Sequence, residues 1–289
     1  MTRRVAVVTD STASLPAGLV EAAGVVVVPL EVVVDGEPHR EGVDISPALI
    51  VAALRSGAQV RTAHPGPDAF SRVYARLTAR GAREIVSIHL SGELSGTVTS
   101  AQLAAQTSGA PVHVVDSRTV GMGLGLAVLA AAKVAGDIES AGGAADGAAV
   151  ARAAETRAAR TSVRFTVDTL EYLRAGGRLG AVAATLGTVL GLRPVLGLRD
   201  GRLEVVEKVR TSARVRQRVV ELTVADAARR ARCELAVHHL GDPELAERVA
   251  AELRASCGTG VQAVHVTEIS AVIGAHAGPG LLALVVADG

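Results

Sequence analysis

Short apolar runs rich in valine and isoleucine alternate with longer stretches of helical character along the first half of the chain. Four runs have the length and β-branched content of strands, and they cover residues 5–8, 25–30, 85–90 and 112–115. Apolar runs of this kind, separated by helices, are typical of parallel strands buried on both faces. The pattern predicts a mostly parallel sheet with helices on both faces, and Ser14 with Pro16 predicts the start of the first helix.

The second half mixes strand and helix signals differently. Residues 194–198 and 203–208 surround the turn Arg199-Asp-Gly201, which predicts an antiparallel hairpin. Further strands are predicted over residues 163–167, 235–239, 263–268 and 281–286, and helices over residues 152–160, 169–174, 211–230 and 243–256. An Ala/Gly-rich stretch over residues 136–151 separates the two halves. We therefore expect two α/β domains, over residues 1–155 and 156–289, the second of which contains a mixed sheet.

Composition narrows the range of functions. Hydrophobic residues make up 49% of the 289 residues and charged residues 20%, as is typical of a globular chain. The aromatic residues are Phe70, Tyr74, Phe165 and Tyr172, so stacking on nucleobases is not expected. The net charge of +1 provides no general attraction to nucleic acid or to a membrane surface.

The cysteines and the N-terminal residues predict a cytoplasmic protein. Cys233 and Cys257 form neither a CxxC motif nor a disulfide framework, which fits a reducing compartment. Residues 1–4 lead directly into a strand, without the apolar segment of a signal peptide. The longest apolar run, near residues 120–132, is short and interrupted by glycine, so we expect no stable insertion into a membrane.

One region departs from the balanced charge. Residues 152–218 contain fourteen Lys and Arg residues against six Asp and Glu residues. Such a stretch is compatible with a docking surface for a partner and equally with an ordinary solvated face. The sequence leaves both interpretations open.

The most informative segment is Ser91-Gly-Glu-Leu-Ser-Gly-Thr97. It connects a predicted strand to a predicted helix over residues 98–106, and free backbone N–H groups at such a helix start attract anions. The hydroxyl groups of Ser91, Ser95 and Thr97 can donate hydrogen bonds at the same place. Because an ordinary capped helix accounts for the same residues, this segment alone leaves an anion site and a structural cap equally open.

Two distant residues are candidates for the same site. Thr62 precedes a predicted turn ahead of a helix over residues 68–80. His276 lies in Ile273-Gly-Ala-His-Ala-Gly-Pro-Gly280, which predicts a tight loop between two strands that presents an imidazole to an anion. With Ser95, these residues can converge on one small anionic head group. None of them forms an evident pair of nucleophile and base, so the sequence favours holding an anion over attacking it.

Motifs of other functional classes are weak. The chain has no GxxxxGK[ST] phosphate loop, and Ser95 is one residue out of register with a GxSxG nucleophile elbow. His238 and His239 have no second group of ligands at a suitable spacing, so no metal site is predicted.

Several longer motifs resemble those of the DegV family, in the family's order and over essentially the whole chain. They are Val5-Ala-Val-Val-Thr-Asp-Ser-Thr12, Gly42-Val-Asp-Ile-Ser46, Leu94-Ser-Gly-Thr97, Asp116-Ser117 with Gly121-Met-Gly-Leu-Gly125, Asp168-Thr-Leu-Glu-Tyr-Leu-Arg174 with Gly176-Gly-Arg178, and Ile273-Gly-Ala-His-Ala-Gly-Pro-Gly280. The resemblance implies two α/β domains that hold a fatty acid between or within them.

The resemblance also implies roles for individual residues. It implies that the carboxylate of the fatty acid is bound by Thr62, Ser95, Gly96 and His276. Further candidates for the same carboxylate are Ser91, Thr97 and Ala275. Arg174 and Arg178 lie where the resemblance makes a surface for a partner plausible.

Some members of this family are lipid-binding subunits of a bacterial fatty-acid kinase. Such a subunit presents the carboxylate to a separate ATP-binding subunit and then carries the acyl phosphate. The resemblance therefore implies a non-catalytic subunit, with a long-chain fatty acid as ligand, no cofactor, no nucleic-acid partner and only transient membrane contact. The alternatives are an enzyme acting on a small phosphorylated or carboxylated metabolite, and a lipid store or sensor that has no kinase partner.

Two departures from the family pattern bear on the ligand. This chain has Thr62-Ala-His-Pro-Gly66 where the family commonly has Thr-Ser-Gln-Pro-Ser, and it has the carboxylate of Glu93 near the proposed anion site. We expect Glu93 to point to solvent, since an inward carboxylate would repel the ligand. Small side chains over residues 121–132 and 187–192 leave room for an acyl chain, although core packing explains them equally.

Overall fold

The computed structural model describes residues 4–180, 182 and 192–289, and the elements below are numbered along the chain. A parallel sheet with strand order β2-β1-β6-β7 forms the centre of the first half. Its strands are β1 (Val5–Asp10), β2 (Val26–Val28), β6 (Glu84–His89) and β7 (Val112–Asp116). Its helices are α1 (Ala17–Ala23), α3 (Pro67–Ala79), α4 (Thr97–Ala105), α5 (Met122–Ser140) and α6 (Gly147–Ala159).

Alternation along β1 explains why this sheet is covered on both sides. Val5 and Val7 pack into a core cluster with α5 and α6, whereas Ala6 and Val8 pack with α3 and α4. Successive side chains of a strand point to opposite faces, so a continuous apolar run requires helices on both. The predicted parallel sheet with helices on both faces is confirmed.

The first half also contains a small antiparallel sheet that the sequence analysis missed. Its order is β4-β3-β5, and its elements are β3 (Glu31–Val34), β4 (Glu37–Arg40), α2 (Pro47–Arg55) and β5 (Val60–Ala63). Asp35 and Gly36, both with positive φ, form the two-residue turn between β3 and β4, as Asp-Gly turns commonly do. Thr62 therefore lies in β5, and residues 64–66 connect this strand to α3 where the turn after Thr62 was expected.

A mixed six-stranded sheet, ordered β10-β9-β8-β13-β11-β12, organises the second half. The strands are β8 (Thr161–Thr166), β9 (Arg193–Arg199), β10 (Arg202–Val209), β11 (Cys233–His239), β12 (Val261–Glu268) and β13 (Leu282–Asp288). Its helices are α7 (Glu171–Ala175), α8 (Ser212–Ala227), α9 (Pro243–Ser256) and α10 (Ala271–Ala277). Only β11 and β12 pair in parallel among the described strands of this sheet.

The mixed sheet packs between its own helices and the first half. One face forms a core cluster with α8 and α9, and α5 contributes Met122 and Leu126 to a cluster that includes Ala236 and Val285. The two-part α/β architecture predicted from the sequence is confirmed. The predicted domain division after residue 155 lies within α6 and stays a prediction.

Two local expectations are wrong. Ser14 does not cap the first helix, because residues 11–13 form a 3-10 turn that Asp10 caps, and α1 begins at Ala17. A loop was expected around His276, but this residue lies in the helix α10. Ser270 is the N-cap of that helix. The glycines in this stretch suggested a turn, but Gly274 lies inside α10 and packs on Leu240, where a Cβ atom would approach the leucine side chain to 3.2 Å.

Candidate functional site

An apolar cavity lies where the two halves meet. Its apolar wall comes mainly from the mixed sheet, from α10 and from the segment of residues 91–97, hereafter the 91–97 turn. The polar side chains that line it are Thr62, His64, Ser95, Arg178, His238 and His276. A largely apolar space with a few convergent polar groups is typical of a site for an amphipathic ligand.

Thr62 and His276 form the central polar contact of this cavity. The side-chain oxygen of Thr62 on β5 lies 2.8 Å from Nε2 of His276 on α10. Burial, together with the nearby positive charge of Arg178, lowers the pKa of His276 to about 4, so the ring is neutral at pH 7. The structure thus joins two residues that are 214 positions apart in the sequence.

The other ring nitrogen of His276 is enclosed by protein. Its Nδ1 atom is buried and has no hydrogen-bond partner among the described residues. It faces Gly176, where a Cβ atom would overlap the ring. Only glycine fits at this position without displacing His276, which gives the Gly176-Gly-Arg178 motif a packing role beside the cavity.

Ser95 reaches the same cavity from the 91–97 turn. Its hydroxyl oxygen lies 2.9 Å from that of Thr97 and also accepts from the Thr97 backbone N–H at 3.4 Å. Thr97 itself is fully buried and does not line the cavity. The ring of His64 packs over Gly96, close enough that a Cβ atom at residue 96 would lie 3.0 Å from it.

The backbone of the 91–97 turn differs from a simple anion-binding helix start. The carbonyl of Ser91 accepts from the N–H groups of Leu94 and Ser95, at 3.0 and 3.1 Å. These two amides are therefore used inside the turn. The polar surface that the turn contributes to the cavity is the Ser95 side chain.

Glu93 points away from the cavity, as expected from the sequence. It is exposed, and its carboxylate accepts a hydrogen bond from Nε of Arg202 at 2.9 Å. That hydrogen bond lowers the pKa of Glu93 below its ordinary value. The carboxylate that departs from the family pattern is thus paired with an arginine from the other half of the chain.

The remaining residues that were predicted to bind the carboxylate or a partner do not all line the apolar cavity. Ser91 is fully buried, and its hydroxyl donates to the carbonyl of Gly201 at 2.7 Å. Ala275 is buried and lines a separate groove, while Arg174 is exposed. Arg178, expected at a partner surface, lines the cavity and donates through Nε to the carbonyl of Leu94 at 3.2 Å.

His238 is a cavity residue that the sequence analysis weighed only as a weak metal ligand. Its Nε2 accepts from the N–H of Met122 at 2.8 Å, and Nδ1 lies 3.1 Å from the carbonyl of Thr267. Burial lowers its pKa to about 4, so this ring is neutral and ties β11 to the start of α5. Because both nitrogens bind backbone groups, the role of His238 is to close the wall of the cavity.

The two stretches of small side chains that were expected to leave room for an acyl chain are residues 121–132 and 187–192. Gly121 lines the cavity, but most of α5 beyond it is buried in core clusters. Most of the second stretch, residues 187–191, lies outside the described residues. Large side chains of the mixed sheet, such as Phe165 and Leu198, form more of the apolar wall than α5 does.

A second group of residues resembles a catalytic triad but is enclosed. Asp10 Oδ2 lies 2.9 Å from His89 Nδ1, and His89 Nε2 lies 2.7 Å from the hydroxyl of Ser87, to which Tyr74 donates at 2.8 Å. All four side chains are fully buried, and none lines the apolar cavity. A nucleophile must reach its substrate, so this chain of hydrogen bonds is structural.

Within the described part of the chain, no group of three or more His, Cys, Asp or Glu side chains is arranged to hold a metal ion. Among the described helices, none combines the length and apolar character that crossing a bilayer requires.

The family of the chain follows from comparison with known proteins. Residues 4–288 match the family described as "Uncharacterised protein, DegV family". The chain belongs to the DegV family. A DegV domain-containing protein of Streptomyces coelicolor is 47% identical over 288 residues, which is 100% of both chains.

Solved DegV structures share the whole fold and are associated with fatty acids. A Thermus thermophilus DegV family protein studied for fatty-acid binding superimposes with a TM-score of 0.87 and 37% identity, over 99% of this chain and 100% of the other. The fatty-acid-binding protein DegV of Bacillus subtilis gives a TM-score of 0.89 and 28% identity, again over 99% and 100%. Fatty-acid binding is therefore a property of DegV proteins similar to this one.

Proposed function

We propose that this protein binds a long-chain fatty acid, with the acyl chain in the apolar cavity and the carboxylate at Thr62, Ser95 and His276. The observation that carries the proposal is the Thr62–His276 contact, which together with Ser95 supplies a polar end to an otherwise apolar space. Each buried methylene of the ligand contributes about 0.8 kcal/mol to binding, so the acyl chain supplies most of the driving force. The polar end of the cavity fixes the orientation of the fatty acid. Fatty-acid binding by DegV proteins of 37% and 28% identity supports this assignment.

The direction of the hydrogen bonds explains how neutral groups hold a carboxylate. A carboxylate only accepts, so the hydroxyl of Thr62 must donate to it and must itself accept from Nε2–H of His276. Nδ1 of His276 has no acceptor among the described residues, which favours placing the single proton on Nε2. His276 is then a positioning residue that orients the hydroxyl of Thr62.

Thr97 supports Ser95 in the same manner. The Thr97 N–H and hydroxyl both lie within hydrogen-bond distance of the Ser95 oxygen. If both donate to that oxygen, the hydroxyl proton of Ser95 is left for the ligand. Two relays, from His276 to Thr62 and from Thr97 to Ser95, then provide donors to a carboxylate at the end of the cavity.

The finer part of the proposal is that the bound fatty acid is phosphorylated by a separate ATP-binding subunit in the cytoplasm. A carboxylate oxygen would attack the γ-phosphorus of ATP, and the bond from phosphorus to the bridging oxygen would break with its electron pair leaving on ADP. Arg178 lies beside the proposed carboxylate position and can stabilise the added negative charge. This protein contributes positioning, and its partner contributes the nucleotide.

Native mass spectrometry of the purified protein tests the binding proposal. The expected result is a retained adduct with the mass of a long-chain fatty acid, which is lost in a Thr62→Val, Ser95→Ala double variant. A polar metabolite in its place, or failure to bind added palmitate, would contradict the proposal. Phosphorylation of the bound fatty acid by ATP and the ATP-binding subunit then tests the carrier role, and protein that binds fatty acid without being a substrate is a store or sensor.

A further inference from the structure

The tip of the β9–β10 hairpin rests on the 91–97 turn. The tip consists of Asp200 and Gly201, both with positive φ, and it joins β9 to β10 through a two-residue turn. The carbonyl of Gly201 accepts from the buried hydroxyl of Ser91 at 2.7 Å. A Cβ atom at residue 201 would overlap this hydroxyl, so glycine permits the close approach.

Two more polar contacts fix the tip from either side. Arg202, directly after the tip, donates through Nε to Glu93 at 2.9 Å. Arg118 donates through Nη2 to the carbonyl of Asp200 at 2.8 Å. The hairpin tip is thus held by three groups from the first half of the chain: Ser91, Glu93 and Arg118.

These contacts lie at the wall of the apolar cavity. The hairpin contributes Leu198 and Leu203 to that wall, while the 91–97 turn contributes Leu94 and Ser95. Separation of the tip from the turn would therefore open the cavity on this side.

The tip end of the hairpin extends beyond its pairing with the remainder of the sheet. β10 is an edge strand, and β9 pairs with β8 only through Arg164 with Gly197 and Phe165 with Leu196. In contrast, β9 and β10 pair along their whole lengths. The root of the hairpin is fixed, because Val195 and Leu196 are fully buried in core clusters. Movement at low cost is therefore confined to the tip end, residues 198–203, which lies beyond the pairing with β8.

We propose that the tip end of the β9–β10 hairpin, residues 198–203, is a movable cover of the cavity and that Glu93 and Arg202 are the pair that positions it on the 91–97 turn. This inference rests on the fatty-acid binding proposed above. Opening the cover admits or releases the acyl chain, and closing it restores the apolar wall formed by Leu198 and Leu203. Glu93, a departure from the family pattern, thereby acquires a role outside the head-group site.

An exposed ion pair makes a measurable but modest contribution to such a closure. The Arg202 side chain is 70% exposed and that of Glu93 is 36% exposed, so salt screens the pair. Loss of the pair should speed release of ligand by about two- to fivefold at low ionic strength, and the difference should disappear in high salt.

The proposal is tested by the rate at which the protein releases cis-parinaric acid, a fluorescent fatty acid. Release is followed in a stopped-flow instrument after mixing with excess oleate. Glu93→Gln and Arg202→Gln should each release the probe faster at low salt. The double variant should release it no faster than either single variant, because both changes remove the same pair. Lys133→Gln, which removes the exposed Lys133–Asp137 pair of α5, is the matched control and should leave release unchanged. Wild-type release rates in both single variants, or a double variant in which the two effects add, would overturn the proposal.

Hydrogen exchange of the ligand-free protein gives a readout that does not depend on fatty-acid binding. Backbone amides of residues 198–203 should exchange faster in Glu93→Gln than in the wild type, whereas amides of α9 should not change. Equal exchange at the hairpin in both proteins would contradict the movable cover. Failure of the wild type to bind cis-parinaric acid would instead contradict the proposed function, so the two failures are distinguishable.

Discussion

The carboxylate of Glu41 accepts a hydrogen bond from the backbone N–H of Ala271, the first residue of α10. The same helix carries His276 in its last turn, where it meets Thr62. Glu41 follows β4 directly and Thr62 belongs to β5, so the small antiparallel sheet holds α10 at both of its ends. The sheet that the sequence analysis missed therefore positions one of the two head-group relays.

Replacement of Glu41 should change how stability depends on pH. Burial raises the pKa of Glu41 from 4.5 to about 7, against the lowering effect of hydrogen bonds from Ser11 and the Ala271 amide, with the negative charge of Asp10 adding to the rise. A raised carboxyl pKa favours the folded state at low pH, and this contribution is lost as pH rises from about 4.5 to about 7. Glu41→Gln should remove that loss.

Urea unfolding of the wild type and Glu41→Gln at pH 5 and pH 8 measures this effect. Relative to the wild type, Glu41→Gln should gain up to about 3 kcal/mol of unfolding free energy between the two pH values. Comparison of the two proteins cancels groups that titrate alike in both. A free-energy difference that does not change with pH would show that Glu41 has an ordinary carboxyl pKa.

Removal of either head-group hydroxyl should weaken fatty-acid binding. Ser95→Ala and Thr62→Val each delete a donor to the carboxylate, and loss of a hydrogen bond to a charged group costs about 1–3 kcal/mol. His276→Ala should have an effect of the same size, because Thr62 then loses the group that orients its proton. Affinity for palmitate by isothermal titration calorimetry is the measurement.

Ser56→Ala is the control for these variants. It also removes a hydroxyl, but this serine is exposed and donates to the carbonyl of Ala53 at the end of α2. Its affinity should equal that of the wild type. If Ser95→Ala and His276→Ala also bind palmitate with wild-type affinity, the carboxylate does not lie at this end of the cavity.

Gly176→Ala should disturb the site through packing alone. The added methyl group would overlap the ring of His276 and push it from Thr62, although the backbone of Gly176 is one that alanine adopts readily. Overpacking of this kind costs about 1–3 kcal/mol of stability. The midpoint temperature of thermal unfolding and the affinity for palmitate should both fall. Gly18→Ala should lower neither, because a Cβ atom at residue 18 would have no atom within 4 Å.

Local signals explain how much of the fold could be predicted. The helix over residues 243–256 has the predicted bounds because Asp242 caps it, Pro243 occupies its first turn and its apolar residues recur with helical period. Buried strands such as β1 and β11 could also be predicted, because uninterrupted runs of β-branched and apolar residues are compatible with few other structures. The β3–β4 hairpin was missed because its strands are short and partly exposed.

The candidate site was only partly accessible from the sequence, for a physical reason. Local motifs identify residues with suitable chemistry, such as Ser95 in its turn and His276 near glycines. Which of them meet is decided by contacts between distant elements, and no local pattern places Arg178 against Leu94 or Ser91 against Gly201. The resemblance to a family named Thr62, Ser95 and His276, and the fold brings these three to one cavity.

Filling the cavity should separate binding of the acyl chain from binding of the carboxylate. Ala283 on β13 is buried and lines the cavity, so Ala283→Leu places three additional carbon atoms in the space proposed for the acyl chain. Affinity for palmitate should fall at least about tenfold, because lost burial of two or more methylenes costs about 0.8 kcal/mol each. Affinity for octanoate should change less, since a shorter chain need not reach the added side chain. Calorimetric titration of both fatty acids into the variant and the wild type gives the two ratios, and equal affinity for palmitate in the two proteins would mean that the acyl chain lies elsewhere.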